Sequence, residues 1–388
     1  MKIMTIAALA PAVLLGGAVA AQEDRPPAPP VVVSVPSAAP IAPSASGNPA
    51  GQQLVRWQPG TATCAGGVVQ TVQAPDPAMT ATYGWRGAAA RNTATFRFRI
   101  VADGRPLGIE RAAKDYVPDS QDLAPALAAT RFSPGAQSGC SITFTTERTD
   151  FADAAVSDVL AFTVFPTGTV PREAWQRVQP AASTCFNPAP AVLLRAFPDF
   201  KKLPSQAGRR EWSMTEFDTN PAGKPVNVRT VGGSGSTALD AAARGAVARS
   251  RFERGARRGC RYPYWQGGSI LAAPVMPSED AFRPAGATCP KTLPYDRQPR
   301  LVYPQPYLRR RIEGWAIVAF DVAPWGATGN LRVLAAEPTA EFGDAALNVL
   351  RTATKRPSNT GYVGCVDRVR FRIGDRPALI VADELPID

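Results

Sequence analysis

The sequence predicts an α+β protein made of three tandem small two-layer domains, each an antiparallel sheet packed by helices. A segment that ends in cysteine occurs three times, and each copy has one later cysteine at nearly the same distance. Between the two cysteines, strand periodicity is followed by helix periodicity. The predicted organisation is a signal peptide at 1–21, a Pro/Ala/Ser-rich spacer at 22–53, and copies at 54–165, 171–275 and 280–388.

The composition excludes several kinds of chemistry. The 388 residues include 43 Lys+Arg, 32 Asp+Glu, six Cys and no His. His-dependent nucleophilic catalysis and imidazole metal sites are therefore excluded. We expect no catalytic residue, no metal ion and no cofactor. The net charge of +11 comes without a dense Lys/Arg tract, which argues against nucleic acid as a partner.

The first 21 residues have the organisation of a secretory signal peptide. Lys2 is followed by an apolar stretch and by the small-x-small site Ala18-Val19-Ala20. The alternative is a retained membrane anchor, although the stretch barely reaches the ~20 residues that span a bilayer. We expect cleavage near Ala20 or Ala21 and a periplasmic protein, with membrane contact only if the segment is retained. The spacer that follows is too poor in large apolar residues to form a core.

The internal repeat selects one pairing of the six cysteines. Its three copies are Pro59-Gly-Thr-Ala-Thr-Cys64, Pro180-Ala-Ala-Ser-Thr-Cys185 and Pro284-Ala-Gly-Ala-Thr-Cys289. The later cysteines, each preceded by glycine, are Cys140, Cys260 and Cys365. The predicted disulfides are Cys64–Cys140, Cys185–Cys260 and Cys289–Cys365, each worth roughly 4 kcal/mol by loop closure. Thiolate metal binding or redox chemistry is the alternative, but an exported chain favours disulfides.

The third copy shows the predicted elements most clearly. They are a short helix at 305–311, a strand at 314–322, a turn at 324–326, a return strand at 330–335, a helix from Phe342 to Ala353 and a last strand from Cys365. Thr339 is the expected helix cap. On the last strand, Asp367, Val369 and Phe371 alternate with Arg368, Arg370 and Arg372.

The other two copies follow the same order of elements. The second has hairpin strands at 212–218 and 226–231, a helix from Leu239 to Val247 and a last strand that contains Pro263. Because proline cannot donate to a ladder, this last strand must lie at an edge or stop early. The first copy has a strand at 95–100, a turn at Asp103-Gly104, a helix from Leu123 and a last strand from Ile142.

The third copy resembles the C-terminal domain of TonB- and TolA-type energy-transducer proteins over residues ~284–372. The matching residues are Tyr303-Pro304, Ile312-Glu313-Gly314, Phe320, Val322, Gly326, Gly343-Asp344-Ala345-Ala346 and Arg356-Pro357. In the second copy they are Val231-Gly-Gly-Ser-Gly-Ser236, Leu239-Asp240-Ala241-Ala242 and Arg251-Phe252, while the first copy matches mainly in spacing. The resemblance implies a non-enzymatic protein that binds extended segments of outer-membrane receptors by adding a strand to a sheet edge.

Two groups of arginines are the candidate partner-binding residues. Arg309, Arg310 and Arg311 end the short helix, and Arg368, Arg370 and Arg372 lie on the last strand. They could select acidic segments, whereas a solvated face or protection of an edge strand explains them equally. The predicted function is that of an exported interaction protein with a protein or peptide partner in the cell envelope. The alternatives are a structural envelope protein that binds peptidoglycan or an anionic surface, and an anchored energy transducer for TonB-dependent transport.

Overall fold

A computed structural model of the chain describes residues 51–83, 92–186 and 188–374. The predicted signal peptide and almost all of the predicted spacer lie outside these residues. The described residues form an α+β structure of antiparallel sheets and short helices, as the sequence predicts. Within these ranges, no helix is both long and apolar enough to cross a membrane.

We divide the described residues into module 1 (52–150), module 2 (192–266) and module 3 (295–373). Module 1 contains β1 (Gln52–Pro59), β2 (Thr63–Cys64), β3 (Gly67–Val68), β4 (Thr71–Gln73), β5 (Thr80–Tyr83), β6 (Thr93–Ile100), β7 (Pro106–Arg111), α1 (Leu123–Ala128), β8 (Arg131–Phe132) and β9 (Gln137–Asp150). Helices α2 (Val156–Val164) and α3 (Arg172–Val178) follow it.

Modules 2 and 3 are smaller. Module 2 contains β10 (Val192–Leu194), β11 (Glu211–Thr219), β12 (Pro225–Gly233), α4 (Thr237–Arg249), β13 (Arg251–Phe252) and β14 (Arg257–Gln266). Module 3 contains β15 (Tyr295–Arg297), α5 (Gln305–Arg310), β16 (Gly314–Val322), β17 (Thr328–Glu337), α6 (Glu341–Arg351), β18 (Thr354–Lys355) and β19 (Tyr362–Phe371). Single 3-10 turns occur at Phe200–Lys202 and Glu279–Phe282.

The three modules share one arrangement of strands. A hairpin and the last strand form a sheet in which the first hairpin strand is central, with the orders β7-β6-β9, β12-β11-β14 and β17-β16-β19. The register is also shared, because Phe98, Phe217 and Phe320 lie opposite the second cysteine of their modules. A small ribbon completes each module, formed by β4-β8, β10-β13 and β15-β18.

A hairpin glycine holds each small ribbon against its sheet. Gly104, Gly223 and Gly326 have φ values of 81°, 75° and 91°. A Cβ on Gly326 would lie 2.1 Å from the Lys355 carbonyl oxygen, and the other two would clash equally with Phe132 and Phe252. Lys355 is therefore the structural counterpart of those phenylalanines. Counted back from the second cysteine, the sequence would instead align Arg356-Pro357 with Arg131-Phe132 and Arg251-Phe252. The structure places the counterpart of the phenylalanines two residues earlier, at Lys355.

Module 1 differs from the predicted small sheet. Its sheet has seven strands in the described part of the chain, because β1, β2, β3 and β5 are added on the outer side of β9. Helices α2 and α3 then pack with Leu54 of β1 and Trp212 of module 2 in one apolar cluster. A larger cluster joins modules 1 and 3, and it includes Leu127 of α1 and Tyr307 of α5.

Three smaller expectations are corrected or refined. Thr339 does not cap α6; the residue before the helix is Ala340, and the Thr339 hydroxyl donates to the Tyr307 hydroxyl at 2.7 Å. Helix α6 ends at Arg351, although Ala353 is still buried. The last strand of module 2 continues through Pro263 and lies at a sheet edge, as the proline predicts.

The structure joins Cys64 to Cys140, Cys185 to Cys260 and Cys289 to Cys365. These are the pairs that the repeat selects. Cys185 and Cys289 precede the first strand of their modules, Cys64 ends β2 of module 1, and each is joined to a residue near the start of its module's last strand.

Candidate protein-interaction surface

The last strand of module 3 has one occupied side and one open side. β19 pairs with β16 from Phe371 to Tyr362 and with no other strand of the described residues. Near the disulfide the open side is used locally: the Thr288 N–H donates to the Val363 carbonyl at 3.1 Å, and the Val363 N–H donates to the Thr288 hydroxyl at 3.0 Å. Beyond this point, no strand of the described residues pairs with the outer side of the stretch from Val366 to Phe371, where the Arg368 N–H donates to Asp367 Oδ1 at 3.0 Å.

The side chains of β19 divide between two faces of the sheet. Val369 and Phe371 are 8% and 0% exposed and face the core, as the alternation predicts. Arg368 lies on the opposite face, where its Nε is 2.9 Å from Glu279 Oε2. Arg370 is half-buried and Arg372 is exposed. The arginine strip therefore exists, but Arg368 is engaged by the segment that precedes module 3, and Arg370 and Arg372 are not without contacts of their own.

The second arginine group does not form one surface. Arg309 is exposed, and Arg311 is half-buried with φ of 58° at the end of α5. Arg310 is only 3% exposed, and its guanidinium makes a bidentate contact with the Asp122 carboxylate of module 1. Burial lowers the pKa of Arg310, but the attraction of Asp122 outweighs it and the net shift is upward. Arg310 is thus an internal contact between modules and is not accessible to a partner.

The equivalent edges of the other modules are less open. In module 1, β1 pairs with β9 from Asp150 to Phe144, and Thr63 of β2 pairs with Ser141. The chain itself therefore occupies that edge. In module 2, Pro263 takes the position that Arg368 has in module 3, because they lie opposite the equivalent residues Met214 and Ile317. A proline at this position gives an added strand no N–H.

A carboxylate fixes the bulge where β19 begins. Asp321 accepts hydrogen bonds from the Asn330 side chain at 2.7 Å and from the Gly364 N–H at 2.8 Å. Both bonds lower the pKa of Asp321, and the bond from Asn330 has the larger effect. Asp218 of module 2 makes the same two bonds, to Asn227 and Gly259, at 2.8 Å each. The shared strand position of the two aspartates is therefore structural, and the carboxylates belong to separate modules.

An open groove lies beside this bulge, at the hairpin end of module 3. Its volume is about 720 Å³, and its lining includes Asp321, Trp325, Tyr362 and Val363. Trp325 is 71% exposed and Val363 is 52% exposed. Trp315 is instead buried, and its indole N–H donates to the Pro274 carbonyl at 2.9 Å. The groove thus presents apolar surface at the hairpin end of module 3, and its lining reaches β19 at Tyr362 and Val363.

A buried polar cluster in module 3 escaped the sequence analysis. Lys355 is 3% exposed, and its ammonium lies 3.0 Å from Asp367 Oδ2 and 3.1 Å from the Leu293 carbonyl. The Tyr295 hydroxyl donates to the same carboxylate at 2.6 Å. Burial and the nearby Asp367 charge raise the pKa of Tyr295. Lys355, Asp367 and Tyr295 thus supply one another's hydrogen-bond partners. The cluster occupies the position at which modules 1 and 2 have a buried phenylalanine.

Metal and thiol chemistry find no support in the residues described. No group of three or more His, Cys, Asp or Glu side chains lies close enough there to hold a metal ion. All six cysteines are in disulfides.

Among the described residues, module 3 has a three-stranded antiparallel sheet in which β19 pairs on one side only and carries Arg368 and Arg370, with Arg372 directly after it. Residues 299–373 match the model of the Gram-negative bacterial TonB protein C-terminal, and this part of the chain belongs to that family. The match spans module 3 and stops short of modules 1 and 2. The family is a class of cell-envelope domains with interaction or energy-transducing roles, and disulfides fit an exported protein. A search of curated proteins found no match.

Proposed function

We propose that this chain is an exported, non-enzymatic protein of the cell envelope that binds an extended peptide segment along β19 of module 3. The observation that supports this most directly is that no strand of the described residues pairs with the outer side of β19 from Val366 to Phe371, in a module that also carries a groove with exposed Trp325. Backbone hydrogen bonds would provide affinity, and side chains of the segment would reach the groove. Outer-membrane receptors are one class of partner with such segments.

We also propose that the modules are divergent copies of one domain, with the boundaries 54–165, 171–275 and 280–388. Their shared strand order, register and disulfide position support this. Among the residues that the structure describes, module 3 alone has an edge that is neither covered by β1 nor interrupted by a proline. Binding should therefore reside in module 3.

The partner should be acidic. Support comes from the net charge of +11 and from the placement of Arg368 and Arg370 on β19 and of Arg372 directly after it. An acidic segment would compete there with contacts such as the Arg368–Glu279 ion pair. Complementary charge speeds encounter and selects partners more than it adds affinity. Arg309 and Arg311 lie at the far end of α5 and are assigned no role in this contact.

The decisive variant is supplied by the chain itself. Arg368→Pro gives module 3 the residue that module 2 has at the equivalent strand position, where β14 still pairs with β11. It removes an edge N–H, which in the free chain donates to Asp367 Oδ1 at 3.0 Å, together with the side-chain charge. Arg368→Ala removes the charge alone and is the matched control.

The assay is selection of displayed random peptides of about ten residues, the length of a long strand. Selected peptides should bind the wild type and Arg368→Ala, protect the β19 amides from exchange, and lose about tenfold or more in affinity for Arg368→Pro. Equal binding to Arg368→Pro would refute strand addition at this edge.

The net charge favours a second candidate, binding of peptidoglycan or another anionic surface. Such a contact depends on summed charge and should weaken steeply as salt rises, because screening shortens from ~10 Å at 0.1 M to ~3 Å at 1 M. Binding that falls with salt and is indifferent to Arg368→Pro would favour this candidate. An anchored transducer is the remaining alternative, and an N-terminal sequence that retains Met1 in the native envelope would favour it.

A further inference from the structure

One strand position distinguishes module 1 from the other two modules. Arg99, Asp218 and Asp321 each follow the phenylalanine that lies opposite the second cysteine. Gly108 and Asn330 also occupy equivalent positions, because each lies at the bulge of its module's second hairpin strand. Both have a positive φ, 62° and 51°. Module 1 thus has Arg and Gly where modules 2 and 3 have Asp and Asn.

The Arg–Gly pair of module 1 does not complete a bond within its own hairpin. The Arg99 guanidinium instead lies 2.6 Å from Glu337 Oε1 of module 3, and the Gly108 N–H donates to Glu337 Oε2 at 2.7 Å. A Cβ at Gly108 would lie 2.7 Å from the Arg99 guanidinium, so a larger residue would displace this contact. Glu337 is 7% exposed, and burial of a carboxylate is costly without such partners.

The backbone continues the same contact. Ile109 and Thr339 form a parallel bridge in which the Ile109 N–H donates to the Pro338 carbonyl at 3.0 Å and the Ala340 N–H donates to the Ile109 carbonyl at 2.9 Å. Ile109 and Thr339 are both fully buried. Two amides therefore report directly on whether the modules are joined here.

We infer that Arg99 and Gly108 form a receptor in module 1 for the Glu337 carboxylate of module 3. Arg99 and Gly108 occupy the two positions at which modules 2 and 3 have an aspartate and an asparagine that bond to each other within one hairpin. Its partner is residues 337–340 of the same chain. Module 1 is thereby a dedicated internal partner of module 3: it holds the end of β17 and the start of α6, and leaves β19 as the side of the sheet that faces outward.

The test restores in module 1 the pair found in modules 2 and 3, in the full oxidised chain. The double substitution Arg99→Asp/Gly108→Asn keeps the bulge geometry and gives module 1 its own carboxylate–amide bond. It removes both donors to Glu337 and adds a like charge beside it. Amide hydrogen exchange should accelerate about tenfold or more at Ile109 and Ala340, because charge-assisted bonds that cross the contact are lost.

Three controls keep the result specific. The Gly104 and Gly326 amides, bonded within the hairpins of modules 1 and 3, should exchange at wild-type rates. Arg97→Asp, an exposed change on the same strand face, should leave all four amides unaltered. Adding Glu337→Gln to the double substitution should slow exchange at Ile109 and Ala340 again, because the repulsion is removed.

Unchanged exchange at Ile109 and Ala340 in the folded double variant would overturn the receptor. Equal acceleration at all four amides would also overturn it, because the pair would then support the whole fold and not this contact. If the double variant does not fold, Glu337→Gln alone decides the matter, with faster exchange expected at the same two amides and wild-type rates contradicting the proposal. Neither outcome depends on whether β19 binds a peptide.

Discussion

Replacing Arg310 by alanine should destabilise the folded chain. The Arg310 Nε lies 2.8 Å from Asp122 Oδ1, and its Nη2 contacts Asp122 Oδ2 and, at 2.6 Å, the Asp76 carbonyl. The guanidinium is 3% exposed and the Asp122 side chain 18% exposed. Removing the cation leaves a largely buried carboxylate without its partner, which typically costs about 3–5 kcal/mol. A domain-sized fold is stable by only about 5–15 kcal/mol, so the loss is severe.

The measurement is thermal unfolding of the oxidised protein by circular dichroism. Arg310→Ala should lower Tm by roughly 5–10 °C. Arg309→Ala changes the exposed neighbour on the same helix and should alter stability by less than about 0.5 kcal/mol. Arg310→Met/Asp122→Leu removes both charges and should recover most of the loss, since a buried pair is often replaced by apolar residues without cost. If Arg310→Ala melts together with Arg309→Ala, the contact between modules 1 and 3 is not as described.

The remaining predictions concern titrating groups and one disulfide. Burial raises the pKa of Glu341 above its ordinary value of 4.5, because the charged form is poorly solvated. The wild type therefore loses stability as pH rises from 4.5 through the raised pKa of the folded state. Glu341→Gln should therefore raise the denaturant midpoint at pH 7 and leave it unchanged at a pH well below 4.5. An unchanged midpoint at pH 7 would contradict the raised pKa. The bond from Asn330 lowers the pKa of Asp321, and its stabilisation is present above pH 3.8 and lost as pH falls below it. Asp321→Ala should thus cost about 1 kcal/mol at pH 7 and progressively less in acid, whereas a constant cost would exclude the linkage. Cys289→Ser/Cys365→Ser should lower the free energy of unfolding by roughly 4 kcal/mol in guanidinium titrations, and a change below about 1 kcal/mol would show that the loop is constrained by other means.

Local signals in the sequence are sufficient for the sheet and helix of module 3. The apolar run from Gly314 to Val322 reproduces the bounds of β16, which is buried on both faces at every residue except the half-buried Asp321. The Pro-Trp-Gly turn and the apolar stripe from Phe342 are equally local. The cysteine pairs followed from comparison of the three copies, since equivalent residues occupy equivalent places.

Contacts between distant segments leave no local signal in the sequence. At a helix end, Arg310 has the pattern of a solvated charge, and only the fold brings it to Asp122, 188 residues away. β1 was not predicted and begins within the last two residues of the predicted spacer, because nothing in its own residues shows that β9 extends far enough to pair with it. A usable signal existed for Arg99, since Asp218 and Asp321 share its strand position and Arg reverses their charge.

The placement of β1 also has a mechanical consequence. β1 runs antiparallel to β9 over seven residue pairs, and Cys64 at its far end is bonded to Cys140 of β9. Because the strands are antiparallel, Gln53 lies opposite Asp150, so tension between the chain ahead of Gln52 and the chain after Asp150 would peel these pairs one at a time from that end. Peeling would stop at the covalent bond between Cys64 and Cys140. The proposed peptide edge on β19 lies in module 3, outside the loop that this disulfide closes.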